Sequence, residues 1–91
     1  MASGEIFQAA IFRIEPGGVI RRHPASTPQI IAVVRGRGEV AGDDGIFQQV
    51  KEGDGVFFAK GEEHETRSTE GMTALILEGE ALRPFGWRDS E

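Results

Sequence analysis

Gly17-Gly18-Val19-Ile20-Arg21-Arg22-His23-Pro24-Ala25-Ser26-Thr27-Pro28-Gln29 leads into a β-branched run over residues 30–34 and stops at Gly36. Pro16-Gly17-Gly18 has the composition of a turn, 19–22 reads as a short strand, and 30–34 as a strand buried on one or both faces. Gly36-Arg37-Gly38 is expected to bend it. Upstream, 6–14 alternates as a first strand. Downstream, 39–41 and 46–50 flank Gly42-Asp43-Asp44-Gly45 as a hairpin, because Asp-Gly supplies the positive φ that tight strand reversals require. Glu52-Gly53-Asp54-Gly55 is the next turn, and 56–59, 65–68 and 72–77 supply three more strands. The stretch Met72-Thr73-Ala74-Leu75-Ile76-Leu77-Glu78 is also acceptable to a helix by propensity, but Gly71 and Gly79 bracket it too closely. Eight short strands with no helix between them predict an all-β fold that hides its strand edges in a closed or double-sheet barrel.

The anchors of the opening segment stand at fixed intervals. Gly17, His23, Ala25, Gln29 and Gly36 fit the frame G-x5-H-x-H-x3-E-x6-G, with Ala25 in place of the second His and Gln29 in place of the acid. Gly53, Ala59, Gly61, His64 and Ser68 fit a second frame, G-x5-P-x-G-x2-H-x3-N, with Ala59 for Pro and Ser68 for Asn. These are the two motifs of the cupin family, in order and separated by a short segment, so the chain resembles a small single-domain cupin with degenerate metal-binding motifs. The resemblance implies a double-stranded β-helix, or jelly-roll, barrel. It also implies one domain over residues 1–91, with motif one at 17–36, motif two at 53–68 and a C-terminal tail at 80–91.

The chain has 91 residues, one domain's worth, which bury only about 60 to 65% of the surface that the unfolded form exposes. It has no Cys, so disulfide staples and thiolate zinc sites are excluded and any metal must use N and O ligands. The Met-Ala-Ser-Gly start has no basic or apolar leader character, and no apolar run reaches the roughly 18 residues of a spanning helix. A soluble cytoplasmic protein without a membrane partner is expected. The net charge of −5, with acidic residues scattered along the chain, argues against nucleic acid, which needs a clustered basic face. No Lys-Ser/Thr follows Gly36-Arg37-Gly38, so it is not a phosphate loop.

A cupin metal site resembles three His and one Glu projecting inward, a donor set suited to iron, manganese, nickel, copper or zinc. Carried over by position, this chain keeps His23, Gln29 and His64, having lost one imidazole and one negative charge. Such a set implies at most a weakly bound divalent transition metal. His23 and His64 are the only histidines and both occupy motif positions, so convergence on one cavity is expected whether or not they share an ion. Gln29 beside them gives a cavity of mixed donors and acceptors, able to orient a small polar ligand. Strand alternation puts Arg21 on the face of His23 when no bulge intervenes, making it a candidate anion clamp against the plainer reading of a solvated rim arginine. Thr66 and Ser68 share the parity of His64 and are candidate ligand-binding residues, or else ordinary polar strand residues. Of Phe57 and Phe58, one faces in and the other out.

Three classes of function follow. The first is a barrel that binds a small polar or anionic molecule, with metal weak or absent. The second is a divalent-metal-dependent enzyme resembling the cupin dioxygenases, isomerases or lyases. The third is a sensing or accessory module. Ala25 and Gln29 favour the first. A homodimer is also expected, because small cupins resemble one another in pairing sheets and exposed aromatics such as Phe57 or Phe58, Phe85 and Trp87 gain from cover. The Arg83-Pro84-Phe85-Gly86-Trp87 tail is apolar without strand alternation, suited to capping a barrel mouth or packing on a partner.

Overall fold

Glycines at Gly17, Gly36, Gly45, Gly53, Gly61 and Gly71 all adopt positive φ, and between them the chain runs as strand. The computed structural model describes residues 2–3, 8–80 and 82–84. Its main strands are β2 (Gln8–Ile14), β3 (Gly18–Pro24), β4 (Gln29–Ala41), β5 (Phe47–Lys51), β6 (Gly55–Phe58), β7 (Glu63–Ser68) and β8 (Met72–Glu78). Two further residues at each end, β1 (Ala2–Ser3) and β9 (Arg83–Pro84), pair with each other. No helix occurs among the described residues.

Strand β4 organises the molecule because its thirteen residues serve two sheets in turn. Its first part pairs with β8 and β6, and β8 pairs in turn with β2. Its second part pairs with β5 and β7, and β7 pairs with β3. Two curled antiparallel sheets, β2-β8-β4-β6 and β3-β7-β4-β5, therefore face one another and share a strand, which is the arrangement of a double-stranded β-helix. Gly36 marks the change of partner. The expected bend at Gly36-Arg37-Gly38 is real, but it turns the strand without ending it, so 30–34 and 39–41 form one element. The segment 72–78 is a strand, held on both sides by β2 and β4.

Between the sheets lie Ile14, Ile31, Val33, Val40, Val50, Phe58, Met72, Ala74 and Ile76, with Ala25 packed among them. Alternation along β8 puts Met72, Ala74 and Ile76 inside. Phe58 is the inward member of its pair and Phe57 the half-buried outer one. Of the tail, Arg83 and Pro84 form a short strand instead of the irregular run expected from composition. Phe85 and Trp87 lie outside the described residues.

Candidate functional site

Inward alternation from five strands leaves a cavity of about 200 Å³ between the sheets, lined by Gln8, Ala10 and Phe12 of β2, Ile20 and His23 of β3, Gln29 and Ile31 of β4, His64 and Thr66 of β7, and Ile76 and Glu78 of β8. His64 and Thr66 are buried, only 3% and 2% exposed, and form the floor. Gln8, Ala10, Phe12 and His23 are exposed, so the opening lies on the β2 and β3 side. Four of the six residues expected at the site, His23, Gln29, His64 and Thr66, thus converge on one space.

Arg21 does not. Pairing of β3 with β7 runs Ile20↔Thr66 and then His23↔His64, so two residues of β3 oppose one of β7. That extra residue is a β-bulge, which re-aims the side chains that follow it. It keeps both Ile20 and His23 facing inward and removes Arg21 from the lining, so the proviso attached to simple alternation fails. Arg22 lies on the outer side, with Nε at 2.8 Å from Glu63 Oε1 and its Nη2 donating to the carbonyls of Gly42 and Asp43. Ser68 is also outside the cavity. Its Oγ donates to the Arg37 carbonyl at 2.6 Å and accepts from the Gly71 amide at 2.8 Å, which ties β7 to the turn before β8. Two of the three other identity changes, Ala59 and Ala25, have local settings of their own. The Ala59 amide donates to Glu62 Oε1 at 3.0 Å, a bond proline could not make. Ala25 is 2% exposed within the core, away from the lining.

The two imidazoles meet edge to face with ring centroids 4.3 Å apart, and Phe58 stacks on His64 at 4.6 Å. His23 Nδ1 lies 2.8 Å from the Arg21 carbonyl oxygen, which can only accept, so Nδ1 carries a hydrogen and donates it, leaving Nε2 as the ring nitrogen available to the cavity. His64 Nδ1 and Thr66 Oγ1 are buried without a hydrogen-bond partner among the described residues. Burial, and then the neighbouring His23, push the His64 pKa below its ordinary value, opposed in smaller measure by the backbone and carboxylate of Glu62 and by Glu78. His64 is therefore neutral at pH 7. Because its folded value is depressed, stability is full above the ordinary histidine range and falls as pH drops below about 6.5. Urea unfolding in a chelator from pH 7.5 to 5.5 should show a steeper loss for wild type than for His64→Phe, and parallel profiles would refute the burial of a neutral imidazole.

Glu78 is the site residue that strand patterning passed over. It is half-buried at the end of β8, and Gln29 Nε2 donates to its Oε2 at 2.8 Å across the Gln29↔Glu78 register pair. A charge at the inward parity of Ala74 and Ile76 was the available signal. A carboxylate is thus present after all, from a strand outside both motif frames. It does not rebuild the family's metal set, since no three His, Cys, Asp or Glu side chains converge closely enough to hold an ion among the described residues. With one oxygen bound to Gln29 and His23 fixed by Arg21, the donors present do not fit a four-ligand centre.

Fold and frame together define a small double-stranded β-helix protein with two histidines of the motifs inside its barrel. The chain belongs to the cupin domain family, whose model matches residues 10–80. Among solved structures, it is similar to an RmlC-like cupin from Shewanella frigidimarina, at TM-score 0.74 and 21% identity over 90% of this chain and 68% of that one. A predicted oxalate decarboxylase from Thermotoga maritima matches at TM-score 0.71 and 23% identity over 79% of this chain and 64% of its own, so the present chain spans less than two thirds of it. CENP-C of Drosophila melanogaster, in its structure bound to CAL1, matches at TM-score 0.73 and 13% identity over 85% of this chain and 68% of that one. At such identities the likeness carries the fold alone. No curated protein matches the sequence.

Proposed function

We propose that this cupin binds a small polar molecule in the barrel cavity. The observation that supports the reading is the convergence of polar side chains from four strands, His23, Gln29, His64, Thr66 and Glu78, on one open cavity, because a few polar groups in an otherwise apolar lining are what orient a small ligand. An anionic ligand loses support, since Arg21, the cation expected to clamp it, is not in the lining. Ala10 gives the test. It is exposed on edge strand β2 yet lines the cavity, so Ala10→Trp can fill the space without disturbing the core. Small polar fragments should shift the NMR signals of His64 and Thr66 saturably in wild type and about tenfold more weakly in Ala10→Trp. Equal responses would place binding elsewhere.

The second reading is a divalent ion on His23, Gln29 and His64, serving an enzyme of the predicted oxalate decarboxylase type. The free Nε2 of His23 beside the His64 ring supports it. Elemental analysis of protein purified without a histidine tag discriminates, because stoichiometric nickel, copper, zinc, iron or manganese would replace the first reading with this one.

The proposed assembly is a homodimer through the outer face of the β2-β8-β4-β6 sheet. Ile11 is 72% exposed there, in one register row with Leu75 and Ala32. Phe58 contributes nothing to such an interface, being buried within its own chain. Light scattering at micromolar concentration should give twice the chain mass, and Ile11→Glu should return the monomer. A wild-type monomer would end the proposal.

A further inference from the structure

The cavity is asymmetric in charge and in hydrogen-bonding capacity. Glu78 is its sole ionic side chain among the described residues, and it is joined there only to the neutral amide of Gln29. No Lys or Arg pairs with it among the described residues; the arginine nearest in sequence to His23, Arg22, is turned outward to Glu63 and Glu65. A half-buried carboxylate between apolar walls gains from a cation that desolvates with it and loses from an anion. Acceptors also outnumber donors. Glu78 offers oxygens with capacity beyond the bond from Gln29, Gln29 has already spent one N–H on Glu78 while its carbonyl oxygen still accepts, and Nε2 of His23 accepts whenever that ring is neutral.

We infer that the cavity selects a small organic cation rich in N–H donors, of the amidine, guanidine or primary-amine class, with Glu78 as its counter-charge. An amidinium meets a carboxylate through two parallel N–H bonds, a geometry that a lone metal ion does not use and that does not require three ligands to converge. The space of about 200 Å³ equals roughly seven waters at about 30 Å³ each, room for a ligand of only a few non-hydrogen atoms. The net charge of −5 on the chain also favours entry of a cation over an anion.

The inference rests on the small-molecule reading above, and a triad of nearly identical shape separates the two. Acetamidinium, acetamide and acetate carry charges of +1, 0 and −1 on the same frame. Titrated into the intact protein in a chelator, with NMR signals of Gln29, His64 and Thr66 followed, acetamidinium should saturate at a concentration at least tenfold below acetamide, and acetate should give no saturable shift. Glu78→Gln, which keeps shape and loses charge, should erase the preference of acetamidinium over acetamide. Acetamide or acetate binding as well as acetamidinium in wild type overturns the cation inference and leaves the small-molecule reading intact. Absence of any cavity response to all three overturns both. Retention of the preference in folded Glu78→Gln overturns the assignment of Glu78.

Discussion

Gly36→Ala is expected to lower the unfolding free energy by about 3 kcal/mol or more, against about 1 kcal/mol for Gly45→Ala. Both glycines have positive φ, 84° and 73°, and both substitutions bear the left-handed cost of roughly 1 to 2 kcal/mol. They differ in surroundings. A Cβ on Gly45 would meet nothing within 4 Å, whereas one on Gly36 would run into the carbonyl oxygen of Gly71 and come within 3.1 Å of the Met72 Cα. Those atoms are backbone, and Met72 is the register partner of Gly36 at the point where β4 changes sheets. Relief would require β4 and β8 to separate there, loosening the seam between the two halves of the barrel. Urea unfolding of the three proteins measures it, with an unchanged slope confirming that the native state retains its compactness. Equal losses at the two positions would mean that the close approach of β4 and β8 is not enforced in solution.

That contrast also explains why so much of the fold was legible. A motif glycine reports a backbone requirement that belongs to the residue itself. Four of the frame positions, Gly17, Gly36, Gly53 and Gly61, all prove to need positive φ, so the turns could be placed without knowing what packs where. The Asp44-Gly45 hairpin was legible for the same reason. Alternation then put His64 and Thr66 on one inward face of β7 because that strand is regular. What alternation could not supply was register. The bulge between Ile20 and His23 depends on how β3 pairs with β7, and nothing in Arg21 or Arg22 alone announces it. Glu78 has the inward parity of Ala74 and Ile76, but that it faces Gln29, a partner 49 residues away, depends on register in the same way. The carboxylate that the motif lacks at Gln29 stands directly across the ladder from it.

Gln29→Glu should therefore convert a hydrogen-bonded pair into a repulsive one, with a pH profile unlike that of wild type. The Gln29 amide nitrogen and Glu78 Oε2 are 2.8 Å apart, and two carboxylates at that distance cannot both remain ionised without cost. One carboxyl of the pair would titrate above the unfolded value of about 4.3. A raised folded value means that stability is intact below about pH 4, where the protonated acid still donates as the amide did, and is lost as pH rises through the folded value. A rise of about two pKa units corresponds to a loss of about 3 kcal/mol at pH 7.5, roughly 1.4 kcal/mol per unit. Zinc or nickel should reverse that loss by neutralising the pair beside the free Nε2 of His23, adding about 2.7 kcal/mol at a hundredfold excess over the dissociation constant. Wild type should gain far less. Adding Ala25→His would not help, because Ala25 is 2% exposed in the core and an imidazole there would overpack it. Unfolding from pH 4 to 8, in chelator and in zinc, decides the matter: a variant that parallels wild type across that range would show that residue 29 and Glu78 do not share the cavity, and the site as drawn would have to be abandoned.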